Sequence, residues 1–171
     1  MANSKKMPQG KYGPYIVTEF YDKVELPAER AWEKVIMGRG LLNGQRRHME
    51  HMVWMDNNVV PGAFYAEAVW FWPQPAPRVV QPPTPGEKAP AGIPPHIHPF
   101  PELLSFYGTD TDHPDELYCD VEFWMEDEKF VFNKSFVVYV PENVTHCPLK
   151  MHNMTRPMFH FTMGPGLEYN T

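Results

Sequence analysis

The sequence predicts an all-β domain, a sandwich or a barrel, and three observations point there. From Arg46 onward, short runs of β-rich residues recur with turn residues between them. Only one stretch, near the N-terminus, carries a convincing helical pattern. The 171 residues, 43% hydrophobic, 14% aromatic and 21% charged, make one ordinary domain with a sizeable core rather than a disordered chain.

Residues 1–43 read as an N-terminal extension. Met1 to Pro14 is polar and has no apolar core of the kind a secretory leader needs, so a cytoplasmic protein is expected. A short helix is predicted over about residues 27–37. Pro27 suits its first turn, Gly38 can close it, and Ala28, Ala31, Trp32, Val35 and Ile36 form its apolar stripe. Trp32 on such a stripe reads as a packing anchor.

Residues 44–171 read as the β domain. Arg46–Met55 and Ala63–Trp72 are the first strands, parted by Asn57-Asn58 and Pro61-Gly62. A connection over 73–95 follows, with prolines at 73, 75, 77, 82, 83, 85, 90, 94 and 95. Proline this dense excludes both a helix and a central strand, which leaves an extended surface segment. Further strands are predicted at His96–Phe106, Leu117–Met125, Phe130–Phe132, Ser135–Val140, His146–Met151 and Pro157–Met163. In Leu117–Met125, Leu117, Cys119, Val121, Phe123 and Met125 take one face, and Tyr118, Asp120, Glu122 and Trp124 the other.

A net charge of −6 argues against a general nucleic-acid surface, and no apolar run approaches the ~20 residues of a membrane span. The acids gathered between Asp110 and Glu128 read as a solvated loop and the outer face of a strand. Two cysteines, Cys119 and Cys147, make no disulfide framework, and Cys147 reads as a packed thiol.

The chemistry concentrates in His96-Ile97-His98-Pro99-Phe100-Pro101-Glu102 and in Pro141-Glu142-Asn143-Val144-Thr145-His146. Residues an even number apart on an unbroken strand share a face, so His96, His98 and Glu102 would point together. A third imidazole, His146, can arrive from a neighbouring strand. Nitrogen and carboxylate donors converging in this way suit one divalent transition-metal ion. Pro99 and Pro101 lack backbone donors and place a bulge or edge between His98 and Glu102.

Gly92-Ile-Pro-Pro-His96-Ile-His98-Pro-Phe-Pro-Glu102, ending at Gly108, resembles the first motif of the cupin superfamily. Pro141-Glu-Asn143-Val-Thr-His146 resembles its second motif, with Asn143 where a glycine is expected. Asparagine is at ease with positive φ, so the tight turn before His146 can form. The resemblance covers about residues 44–164. It implies a jelly-roll barrel, also called a double-stranded β-helix, and a metal held by His96, His98, Glu102 and His146.

Iron, manganese, nickel, zinc, copper and cobalt all accept this donor set. The resemblance further implies a metal-dependent enzyme acting on a small organic substrate. Dioxygenation comes first among its reaction classes, isomerisation and lyase chemistry next, and a non-catalytic metal- or ligand-binding module is the alternative. His160, in the last strand, is either an inward-facing catalytic residue or a buried, hydrogen-bonded one, because Phe159 and Phe161 compete for the core face. Such barrels leave sheet edges that an extension can cover, so a homodimer is expected, with Val17 to Tyr21 the segment for strand exchange.

Overall fold

A computed structural model describes residues 8–18, 20, 41–42, 44–74 and 93–169. The predicted helix over 27–37 and most of the proline-rich connection lie outside the described residues. A one-turn 3₁₀ helix at Gly13–Tyr15 opens the described part.

Ten strands follow. They are β1 (Leu41–Leu42), β2 (Gln45–Arg46), β3 (Met49–Met55), β4 (Tyr65–Phe71), β5 (Glu102–Tyr107), β6 (Glu116–Met125), β7 (Glu128–Lys134), β8 (Phe136–Val140), β9 (His146–His152) and β10 (Met158–Gly164). β1 and β2 pair as a small hairpin, and Gly44 between them takes a φ of 78° that suits glycine. The others form two antiparallel sheets, ordered β3-β4-β10-β5-β8 and β7-β6-β9.

Residues 93–96 extend the smaller sheet through bridges from Ile93 to Leu149 and from His96 to His146. With that edge included, the strands of residues 65–164 distribute between the sheets as in a double-sheet jelly roll. The fold class expected from the sequence is the one observed.

Alternation explains why the sheets close on each other. Leu117, Cys119, Val121 and Phe123 of β6 are buried, while Tyr118, Asp120 and Trp124 are not, as the period of two requires. They join Met49, Val69, Phe71, Leu104, Phe106, Val140, Cys147, Leu149 and Met158 in the main apolar core. Cys147 is the packed thiol expected, and burial pushes the Cys119 thiol up to about 11.

A second, smaller cluster gathers Trp54, Val59, Val60, Tyr65 and Tyr169. Val17 and Phe20 pack against it, within their own chain and outside any strand. A bulge in β3 between His51 and Val53 resets the phase, so that His51 and Trp54 both face inward.

The acidic run is largely paired on the outer surface. Asp110 accepts from Tyr118 and meets Arg156; Glu122 meets Lys129, Lys150 and His152; Lys134 bridges Asp115 and Glu116.

Candidate metal centre

Among the described residues, one group of side chains has the composition and spacing of a metal site: His96, His98, Glu102 and His146. One ligating atom from each lies within 4.8 Å of every other. The sequence placed these residues together, but the route differs from the one expected. His96 to Glu102 is not an unbroken strand, because Pro99 and Pro101 withhold ladder donors and Pro99-Phe100 forms a bend. Shared strand parity is thus not what aims the donors.

Three other constraints aim them. His96 and His146 exchange both backbone hydrogen bonds, each at 3.0 Å, which holds the two imidazoles 4.3 Å apart between centroids. The Asn143 N–H donates to the His98 carbonyl at 2.8 Å, so the turn before His146 also fixes His98. Asn143 has a φ of 62°, the left-handed conformation expected of the residue replacing glycine. Glu102 opens β5 in the other sheet, opposite Val140, so the donor set spans the gap between sheets.

Tautomers decide which nitrogens face inward. His96 Nδ1–H donates to the Pro94 carbonyl at 2.8 Å, and His146 Nδ1–H to the Val144 carbonyl at 3.1 Å. In the neutral imidazole each Nε2 then carries a lone pair. His146 Nε2 stands 3.0 Å from Glu102 Oε2, and His98 Nε2 stands 3.6 Å from the same oxygen. A nitrogen and a carboxylate oxygen this close are held together by a proton or by a metal cation between them. Two donors about 2.1 Å from one ion sit about 3.0 Å apart at right angles and about 3.4 Å apart at the tetrahedral angle. The 3.0 Å and 3.6 Å separations lie near those spacings, and the donor types fit a divalent ion.

Electrostatics agree. Burial lowers the His96 imidazole to about 4, helped by the nearby His146, so it stays neutral at ordinary pH. In the metal-free protein burial pushes the Glu102 carboxyl up, but a proton on His146 Nε2 bonded to it, the charges of His98 and His146 and the Thr162 hydroxyl outweigh it, leaving the group below its usual range; a cation in place of those protons would act in the same sense. Neutral imidazoles and an ionised carboxylate are the forms that ligate. Thr162 Oγ1–H donates to Glu102 Oε1 at 3.0 Å, which orients the carboxylate and leaves Oε2 to the imidazoles.

His98, Glu102 and His146 are almost fully buried, and His96 is the partly exposed member. Phe100 stacks on the His98 ring at 5.0 Å and 13°. It is boxed by Gly164 and Gly166, where an added Cβ would stand 2.7 Å and 2.5 Å from its ring.

His160 faces the barrel interior, with Met158 and Thr162, and Phe159 and Phe161 take the opposite face. The competition of Phe159 and Phe161 for the core face is settled in favour of His160. The pairing of β10 with β4 and β5 sets that phase, which hydrophobicity alone does not report. His160 Nδ1–H donates to the Ser105 carbonyl at 2.9 Å, and burial lowers its imidazole below the usual range. It stacks on Phe106 and lies outside the four-donor group.

The sequence reading missed two further features. His51 Nε2 lies 3.2 Å from Glu67 Oε2, both buried, and Tyr65 donates to Glu67 Oε1 at 2.9 Å. Tyr169 places its hydroxyl 3.1 Å from His96 Nε2 and its ring 4.6 Å from that of His98. Tyr169 is 73 residues from His96, so no local pattern signals that contact. His48, which donates to the Trp72 carbonyl, His113, which is exposed, and His152, which meets Glu122 on the outer face, play no part in the cluster.

No protein-family model matches the sequence, and no curated protein matches it. Among solved structures, the chain is similar to oxalate oxidase, at 12% identity and a TM-score of 0.45 over 90% of this chain and 74% of that one. It is similar to a cupin protein from Bacteroides fragilis at 14% identity and a TM-score of 0.37, over 69% of this chain and 82% of that one. It is also similar to a DMSP lyase chain at 14% identity and a TM-score of 0.34, over 61% of this chain and 40% of that one. The match thus spans less than half the length of the lyase chain.

Proposed function

We propose that this chain is a metal-dependent cupin enzyme acting on a small organic substrate, with one divalent transition-metal ion held by His96, His98, Glu102 and His146. The observation that carries the reading is the convergence of four donors within 4.8 Å of one another, with His146 Nε2 and Glu102 Oε2 3.0 Å apart and the His146 Nδ1–H given to the Val144 carbonyl. An ion bound there polarises a substrate oxygen or acidifies a bound water, and iron adds dioxygen chemistry.

The chain's own residues do the rest. Thr162 holds Glu102 in orientation. Phe100, Tyr169 and Phe123 pack an aromatic wall against the imidazoles of His98 and His146. His160 keeps its Nδ1 proton on Ser105, so Nε2 is the basic nitrogen, and the proposal gives it the role of general base. Dioxygenation is the first reaction class to test, with isomerisation and lyase chemistry behind it. A non-catalytic binding module is the second reading, favoured by the near-complete burial of three of the four donors. A homodimer is the proposed state, supported by the exposed Val131, Val137 and Tyr139 on the edge strands β7 and β8, and the cytoplasm the proposed compartment.

Elemental analysis of protein purified without added metal is expected to find about one transition ion per chain. The double variant His96→Ala/His146→Ala should lose it. Less than a tenth of an ion in the wild type, unrestored by adding metal, would refute the metal centre, as would full loading of the double variant. Dioxygen uptake by iron-loaded protein, against catechols, diketones and thiols, separates a dioxygenase from the other readings, and light scattering reads the dimer.

A further inference from the structure

The segment that follows β10 returns across the metal centre. The Tyr65 N–H donates to the Gly166 carbonyl and the Asn57 N–H to the Leu167 carbonyl, both at 2.8 Å, which anchors the segment to the barrel rim. Tyr169 is thereby buried against Trp54 and Tyr65, with ring centroids 6.0 Å and 4.5 Å away. Its hydroxyl reaches the donor set.

The acceptor it reaches is His96 Nε2. Because His96 Nδ1–H is already given to the Pro94 carbonyl, that Nε2 lone pair is the one an ion would take. A phenol hydrogen bond and a metal bond cannot share one lone pair. The ring contacts with Trp54, Tyr65 and His98 nevertheless keep the hydroxyl beside the donors, on the side of His96, the partly exposed member of the four.

We propose that Tyr169 is a ligand-orienting residue of the metal centre: the ion displaces its hydroxyl from His96, and the O–H then donates to the anionic oxygen or nitrogen donor that occupies the ion's open position. This rests on the metal-centre reading above and adds a recognition group to it. It also names the ligand class, a small anion that binds the ion through an atom able to accept a hydrogen bond. The interaction is neutral-to-neutral without the ion and charge-assisted with it, so the phenol opposes metal uptake weakly and supports anion binding more strongly.

The test compares the full chain with Tyr169→Phe, which keeps the ring and removes the hydroxyl. Cobalt(II) is titrated against a chromophoric chelator, and azide is then titrated into the cobalt-loaded proteins by their visible absorption. Without the phenol, cobalt affinity should rise about two- to tenfold and azide affinity fall about ten- to a hundredfold. Azide affinity equal in the two proteins overturns the proposal while leaving the metal centre standing. Failure of the wild type to take up cobalt, or full uptake by His96→Ala/His146→Ala, overturns the metal centre and this proposal with it. A second measurement needs no variant: zinc, which has no absorption of its own, should perturb the tyrosine near-ultraviolet band of the wild type at one equivalent. An unchanged tyrosine band on zinc binding also overturns the proposal.

Discussion

Replacing Gly166 with alanine tests how Phe100 positions His98. An ideal Cβ at Gly166 would lie 2.5 Å from Cδ1 and Cε1 of Phe100, against an ordinary carbon contact of about 3.5–4.0 Å, so the ring must move by about 1 Å. It has nowhere to go cheaply. The opposite ring edge meets Gly164, where a Cβ would be 2.7 Å away, and one face stacks on His98. Overpacking of this kind costs about 1–3 kcal/mol. Gly166 has no positive φ to complicate the exchange, so the penalty belongs to the contact.

The assay is a double-mutant cycle by urea denaturation, with Gly166→Ala alone, Phe100→Leu alone and both together. In the Phe100→Leu background the alanine should cost less than about 0.5 kcal/mol, because the atoms it strikes are gone. For a domain of this size, the single variant's loss corresponds to a fall in Tm of about 3–10 °C. Metal affinity should drop alongside, since the displaced ring bears on His98. An alanine penalty equal in the two backgrounds would refute the packing argument.

Two further predictions follow from the same geometry. In the metal-free protein, His96 titrates near 4 instead of its ordinary 6.5, so the unfolded chain binds more protons and stability falls as the pH drops from 6.5 towards 4. The loss from this group reaches about 3 kcal/mol at most, and the lowered His160 has the same sign. Urea midpoints at pH 7.5, 6 and 5 should descend, and descend less in His96→Gln; midpoints independent of pH would contradict the burial argument. Asn143→Val should cost about 1–2 kcal/mol because a β-branched residue resists a φ of 62°, whereas Asn143→Gly should be nearly neutral. Equal stability of the two variants would show that the left-handed turn is not what positions His146.

Much of the fold was legible because strand alternation is a local property. The β6 pattern from Leu117 to Met125 reports its buried face directly, and the turns at Pro61-Gly62 and Asn143 report where the chain reverses. Alternation failed where pairing outranks hydropathy. In β10 the sequence favoured Phe159 and Phe161 for the interior, yet the register with β4 and β5 turns His160 and Thr162 inward. In β3 a bulge resets the phase between His51 and Trp54. A bulge costs one residue of register and leaves no compositional mark.

For the site, the sequence by itself determined the donors: their chemical types, their two motifs, and a turn residue able to adopt the strained conformation before His146. Their convergence was decided by tertiary structure. The prolines that keep residues 97–101 out of the ladder also prevent strand parity from aiming the donors, so the His96 bridge to His146, the Asn143–His98 hydrogen bond and the pairing of Glu102 with Val140 do so instead. Tyr169 and the His51–Glu67 pair depended wholly on that level. A contact 73 residues apart arises only after two sheets have closed and the chain has returned across their rim, and no local preference encodes such closure.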